Sequence, residues 1–253
     1  MIRLGLIVLL LISPLTARAE KVVLGLSHDT VSITTNFNGS EILIFGAVKR
    51  ETPIIDPPLE VAITVAGPSQ PVTVRRKARR FGIWVNTDAV TVDAAPSFYA
   101  VATTGPFDQV VSDTEDLRHK ISIPRAIRSV GAPMHIQDAE SFTQAVIRIR
   151  EQADLYQTLQ GQIALDQQTL FRTSIEMPAD LTEGDYLTRI FLTRAGRVVA
   201  DYETIIDVRK VGLERWLFAL SREQPVLYGL MSLAIAIAAG WGASTAFRMI
   251  RNG

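Results

Sequence analysis

The chain has 253 residues, 47% of them hydrophobic, and its 26 Lys and Arg residues balance 26 Asp and Glu residues. A net charge of zero argues against a nucleic-acid-binding protein, because such domains carry a clear basic excess. The sequence contains no cysteine, which excludes disulfides, thiolate catalysis and cysteine-ligated zinc.

Residues 1–19 have the features of a secretory signal peptide. Arg3 precedes an apolar stretch at residues 4–12, and Ala17 and Ala19 place small residues at the positions that signal peptidase recognises. We expect cleavage after Ala19. The alternative is an uncleaved anchor, but a helix over residues 4–12 would be only ~14 Å long, about half of a bilayer core.

Residues 20–107 are predicted to form an immunoglobulin-like β-sandwich. The segments 31–37, 42–45 and 60–65 are rich in β-branched and aromatic residues, and Pro, Gly and Asn separate them. Short strands at this spacing favour a sandwich. This scaffold serves many purposes, so the fold alone predicts no function.

A basic run lies within this segment, and it consists of Arg75, Arg76, Lys77, Arg79 and Arg80. On a strand, residues 75, 77 and 79 face one side and residues 76 and 80 the other. One interpretation is an exposed strand edge whose charges prevent edge-to-edge pairing. The other is a patch for anionic lipid head groups, a phosphate or sulfonate ligand, or an acidic partner. Trp84, close to the run, is predicted to lie in the sandwich core.

Residues 108–212 are predicted to be an α+β segment that contains a long amphipathic helix over residues 138–160. The apolar residues at 142, 146, 149, 153 and 156 follow helical spacing, Asp138 can cap the helix, and Gly161 follows its end. A shorter helix is expected near residues 113–120.

Strands are predicted to return at residues 168–210. Two β-rich stretches flank residues 194–197, a hairpin turn in which Gly196 can take a positive φ. The sequence Gly184-Asp185-Tyr186 resembles the tyrosine corner of sandwich folds.

The C-terminal part predicts one membrane span. Residues 225–247 carry no charge and would form a helix ~35 Å long, enough to cross a bilayer. Arg248 and Arg251 follow without an acidic residue, so the positive-inside bias places the tail 248–253 in the cytoplasm. Residues 213–224 have amphipathic spacing, which fits either a juxtamembrane helix or a packed helix of the preceding domain.

The span is rich in small residues, which allow membrane helices to approach closely. One stripe at i+4 spacing consists of Ser232, Ala236, Gly240 and Ser244. A second stripe consists of Ala234, Ala238, Gly242 and Ala246, so the pattern indicates packing on another membrane helix without selecting a face.

Motifs that carry chemistry are absent from the sequence. His28, His119 and His135 do not stand at metal-ligand spacing, and no nucleophile elbow, P-loop or dinucleotide fingerprint occurs. We therefore expect a non-enzymatic protein with no catalytic residue, no cofactor and no metal. A hydrolase whose metal site assembles only in the folded chain is the remaining enzymatic alternative.

Several segments together resemble a family of uncharacterised, largely alphaproteobacterial membrane proteins described as putative transmembrane proteins. They are residues 37–46, 74–77, 82–86, 97–100, 184–186 and 212–215, with Tyr228-Gly229, Gly240-Trp241 and Phe247-Arg248. The resemblance implies no activity. It does imply a Gram-negative periplasm and an association with exporters of the sulfite and organosulfonate type.

The sequence thus predicts a mainly β protein of the inner membrane with a single span, a periplasmic bulk and a cytoplasmic C-terminus. The leading hypothesis is a periplasmic accessory protein, anchored in the membrane, that binds an integral membrane partner such as an exporter. The alternative is a binding module that recognises an anionic ligand or envelope component through the basic run.

Overall fold

The structure is a computed structural model, and it describes residues 21–26, 30–33, 39–50, 56–131, 136, 138–210, 217 and 220–252. The predicted signal peptide, His28, His135 and half of the predicted juxtamembrane helix lie outside the described residues. The strands are β1 (Lys21–Leu26), β2 (Thr30–Ile33), β3 (Ser40–Lys49), β4 (Leu59–Ala66), β5 (Ser69–Arg80), β6 (Ile83–Pro96), β7 (Tyr99–Thr103), β8 (Tyr156–Leu159), β9 (Ala164–Asp166), β10 (Leu170–Met177), β11 (Gly184–Arg194) and β12 (Arg197–Lys210). The helices are α1 (Phe107–Val110), α2 (Asp113–His119), α3 (Ile123–Ala126), α4 (Ala139–Gln152) and α5 (Pro225–Asn252).

Most strands belong to two sheets, which confirms the prediction of a mainly β protein. The four-stranded sheet has the order β1-β3-β10-β9, and its pairs are antiparallel. The six-stranded sheet has the order β2-β12-β11-β4-β7-β8, with parallel pairs at its two edges. The immunoglobulin-like assignment stays a prediction.

Both sheets combine strands from the two predicted segments, 20–107 and 108–212. Strand β3 pairs with β10 over eight positions, and β4 pairs with β11 over eight more. This strand pairing joins the two segments through shared sheets.

The six-stranded sheet separates two hydrophobic cores because its side chains alternate between its faces. In β4, Val61, Ile63 and Val65 belong to the core shared with the four-stranded sheet, while Ala62 faces the second core. The second core is covered by α1, α3, α4 and the lower part of β6. Both faces of this strand are therefore buried.

Two local motifs of the C-terminal strands are confirmed. The hydroxyl of Tyr186 donates a 2.8 Å hydrogen bond to the carbonyl oxygen of Thr182, four residues upstream, as in a tyrosine corner. Ala195 and Gly196 form the two-residue turn between β11 and β12 and both have positive φ, 48° and 74°. This conformation matches the right-handed twist of the paired strands.

The long helix predicted over 138–160 is shorter in the structure, where α4 ends at Gln152. Asp154 takes a left-handed φ of 56°, and Tyr156 begins β8, which pairs in parallel with β7. The Tyr156 hydroxyl donates to the carbonyl oxygen of Pro96 at 2.8 Å. A buried partner far along the chain thus overrides the helical spacing. The short helix expected near 113–120 is confirmed as α2.

Candidate functional site

The basic run lies on a two-stranded ribbon formed by β5 and β6, residues 69–96. Among the described residues no other strand pairs with these two, and the one bridge to the rest of the chain joins Ala94 of β6 to Arg128. Phe81 and Gly82 form the turn at its end with φ of 50° and 87°. Positive φ at both positions is typical of a type I′ hairpin turn. We call residues 77–86 the ribbon tip.

The register of the ribbon defines two faces. Arg75, Lys77 and Arg79 share the outer face, where Arg79 lies directly opposite Trp84. Arg76 and Arg80 alternate onto the inner face. Farther from the turn, this face carries Val72, Val74 and Val92 against the second core. The alternation of the basic run between two faces is therefore as predicted.

Arg76 connects the ribbon to α4. Its guanidinium lies 2.5 Å from a carboxylate oxygen of Asp138, 2.7 Å from the Ser141 hydroxyl oxygen and 4.5 Å from the centre of the Phe142 ring. The hydrogen bond from Arg76 holds the pKa of the Asp138 carboxyl below its ordinary value. Asp138 precedes α4 as predicted, but its carboxylate pairs with Arg76 instead of capping the backbone. One arginine of the run thus has a structural role.

The other four basic side chains of the run are exposed. With the residues that the structure describes, Arg75, Lys77, Arg79 and Arg80 form no ion pair. No acidic residue occurs between positions 74 and 87. The ribbon tip is consequently a concentrated positive surface.

Trp84 does not lie in the core, and that prediction is wrong. The exposed fraction of Trp84 is 68%. That of Ile83 is 65%, and Phe81 is fully exposed. The ribbon leaves both sheets, so the apolar alternation at residues 81, 83 and 85 has no neighbouring layer to pack against at the tip. The exposure of Phe81 and Ile83 could not be predicted from the sequence, because a projecting ribbon and a core strand show the same alternation of apolar residues.

The second candidate site is the helix α5. Residues 225–244 of this helix are apolar enough to cross a membrane, and none of these residues is buried within the protein. A Cβ atom added at Gly229, Gly240 or Gly242 would meet no atom within 4 Å. Between residues 225 and 244 the helix therefore presents small residues of both stripes outward.

Comparison of the sequence with known protein families agrees with this architecture. Residues 21–249 match the family described as Putative transmembrane protein (Alph_Pro_TM). The chain belongs to this family. No curated protein matches it. Family membership and α5, the one candidate span among the described residues, indicate a single-pass membrane protein.

The remaining polar cluster surrounds α2 and has structural roles. His119 lies 3.3 Å from Glu115, and its ring contacts that of Phe191. Arg189 donates a hydrogen bond to the carbonyl oxygen of His119 at 2.7 Å, and Asp116 accepts hydrogen bonds from the backbone of residues 121 and 122. Among the described residues, no three His, Asp or Glu side chains are grouped to hold a metal ion.

Proposed function

We propose that this chain is a periplasmic accessory protein that binds an integral membrane partner through α5 while its β domain acts outside the cytoplasm. The observation that carries the proposal is that no residue of α5 between positions 225 and 244 is buried within the protein. Lipid tails are as apolar as the helix, so close packing of small residues drives association between membrane helices. A helix that serves only as an anchor does not need them.

The stripe of Ser232, Ala236, Gly240 and Ser244 is the better candidate for the contact. It carries the hydroxyl group of Ser232, which can hydrogen-bond across a helix pair, whereas the stripe of Ala234, Ala238, Gly242 and Ala246 has no hydroxyl group. The two stripes are about 200° apart around the helix, because each residue turns it by about 100°. They therefore serve as matched test and control.

The orientation follows from the flanking charges. Arg248 and Arg251 lie after the span with no acidic residue, which favours a cytoplasmic C-terminus and a periplasmic β domain in the inner membrane. The family resemblance supports an exporter of the sulfite or organosulfonate type as the partner.

Co-purification of the tagged full-length protein from its host in mild detergent tests the proposal. We expect a stoichiometric integral membrane partner that is lost when residues 225–247 are replaced by polyleucine. Ala236→Leu with Gly240→Leu should also lose it, whereas Ala238→Leu with Gly242→Leu should retain it. Retention of the same partner by the polyleucine variant would contradict a role for the span.

The exposed charges favour a second candidate, a binding module for a small anionic ligand. Arg75, Lys77 and Arg79 share one face beside Trp84, and phosphate or sulfonate groups are bound by such clusters. Titration with inorganic phosphate or methanesulfonate should then change Trp84 fluorescence in a salt-dependent way. An unchanged signal in the wild-type protein would exclude this candidate without affecting the first.

A further inference from the structure

Phe81 is an unusual residue for the turn at the end of the ribbon, because neither the turn conformation nor packing within the protein favours a large apolar side chain there. Phe81 takes a φ of 50°, a conformation that disfavours bulky side chains and is usually given to Asn or Gly. Its side chain is fully exposed, so it gains no burial in exchange. The equivalent position in the β11–β12 turn is the small residue Ala195.

Three exposed apolar residues surround the turn of the ribbon, with Ile83 on its inner face and Trp84 on its outer face. Phe81, Ile83 and Trp84 occupy adjacent positions around one turn and are each more than half exposed. Exposed apolar groups of this kind mark surfaces that bind a partner or a membrane. The partner must cover a narrow projecting end, which suits insertion into a soft surface better than a flat contact between proteins.

The charges around the tip identify that surface. Arg75, Lys77, Arg79 and Arg80 are exposed behind the apolar residues, and the segment 74–87 lacks acidic residues. At a bilayer surface, aromatic rings lie at the level of the head groups, and Lys and Arg extend to the lipid phosphates. Anionic lipids attract such basic segments.

The membrane is within reach of the ribbon. The fourteen residues 211–224 connect β12 to the start of α5. Even fully extended, they keep the end of β12 within ~50 Å of the span. The twelve residues of β5 make the ribbon ~40 Å long. The reach of residues 211–224 and the length of the ribbon are therefore comparable. The membrane anchor keeps the ribbon tip at a high effective concentration near the lipid.

We propose that the ribbon tip docks on the anionic surface of the membrane in which α5 is anchored. Phe81, Ile83 and Trp84 insert among the head groups, and the basic residues behind them contact lipid phosphates. The contact gives the β domain a second attachment besides the span. This inference depends on the single span but not on the accessory role or on a small-molecule ligand.

The tryptophan of the tip provides the measurement. The chain has three tryptophans, so Trp216→Phe with Trp241→Phe leaves Trp84 as the sole reporter. The full-length variant is reconstituted in vesicles of phosphatidylcholine alone or with phosphatidylglycerol, each containing brominated lipid. We expect bromine to quench Trp84 in the anionic vesicles, and added salt to weaken the quenching.

Two controls distinguish docking from a general approach to lipid. In the first, Trp84→Phe and Tyr202→Trp move the reporter to β12, where the side chain is 39% exposed, and we expect no quenching. In the second, Arg75, Lys77, Arg79 and Arg80 are all replaced by Gln. Each charge contributes about fivefold to the docking equilibrium, so the four together should lower it by two to three orders of magnitude.

The result that overturns the inference is equal accessibility of Trp84 to an aqueous quencher in neutral and anionic vesicles. Protection of Trp84 in host membranes but not in anionic vesicles of pure lipid would also overturn it, since it would indicate a protein partner. In the vesicles, lipid is the only component besides the protein, so the vesicle measurements are independent of whether α5 binds a partner.

Discussion

Arg76 of the ribbon donates a hydrogen bond of 2.5 Å to the carboxylate of Asp138, the residue that precedes α4. This contact joins segments that are 62 residues apart and leaves the ribbon tip projecting beyond it. The basic run therefore divides into two parts. Arg76 holds the ribbon on the helix, and the other four charges face solvent.

Replacing Arg76 by Gln should lower the thermal midpoint of unfolding at neutral pH, while Arg79→Gln should leave it unchanged. The pKa of Asp138 is lowered by the hydrogen bond from Arg76, so this pair stabilises the fold above the ordinary carboxyl pKa of roughly 3.9. The stabilisation is lost as the pH falls through the lowered value. The difference between wild type and Arg76→Gln should shrink over that range, as followed by circular dichroism in detergent.

The Asp138→Asn variant provides the control for this prediction. If the pair acts as proposed, Arg76→Gln adds little to the effect of Asp138→Asn. Additive effects of the two substitutions, or an equal loss of stability in Arg79→Gln, would contradict the assignment of Arg76.

Gly46 in β3 is predicted to be a position where a single methyl group destabilises the fold. Its Cβ would lie 2.9 Å from the carbonyl oxygen of Val23 on β1 and would also overlap the ring of Phe171. Gly46→Ala should cost about 1–3 kcal/mol of unfolding free energy, because the core is overpacked. Gly131→Ala is the matched control, since a Cβ there meets nothing within 4 Å. Equal denaturation midpoints for the two variants would show that the strand contact is absent.

Three tyrosines should resist ionisation in the folded protein. Burial raises the pKa of Tyr99, Tyr156 and Tyr186. A raised folded-state pKa means that stability is present below the unfolded value of roughly 10 and is lost as the pH rises above it. Absorbance of phenolate should therefore increase together with the loss of near-ultraviolet circular dichroism. Complete ionisation while the dichroism stays native would refute this.

The Tyr186→Phe variant separates the hydrogen bond from the burial. It keeps the ring in the core and removes the hydrogen bond to the carbonyl oxygen of Thr182. We expect a loss of about 1 kcal/mol in unfolding free energy and one fewer phenol in the late ionisation.

Local sequence patterns predict those elements that local physics determines. The uncharged stretch 225–247 forms the helix α5, and the turn at Gly196 and the corner at Tyr186 were both readable from short motifs. The end of α4 was not, because Tyr156 is fixed by a hydrogen bond to Pro96, sixty residues earlier. Periodicity alone cannot reveal a partner so distant.

The candidate site was only half predictable for the same reason. The charges of the basic run and their alternation are visible in the sequence. The exposure of Trp84 depends on β5 and β6 leaving both sheets, a matter of which strands pair with which. The structural role that distinguishes Arg76 from the other four basic residues depends on its contact with Asp138, which precedes α4 and is distant in the sequence.

The central claim is that one face of α5 binds another membrane protein, and site-specific photo-cross-linking in the host tests it most directly. A photoreactive residue is placed at Ala236 or, as the matched control, at Ala238, about 200° around the helix. We expect a discrete adduct with a membrane protein from position 236 and no such adduct from position 238. Adducts of equal yield from both positions, or only lipid adducts from each, would contradict it.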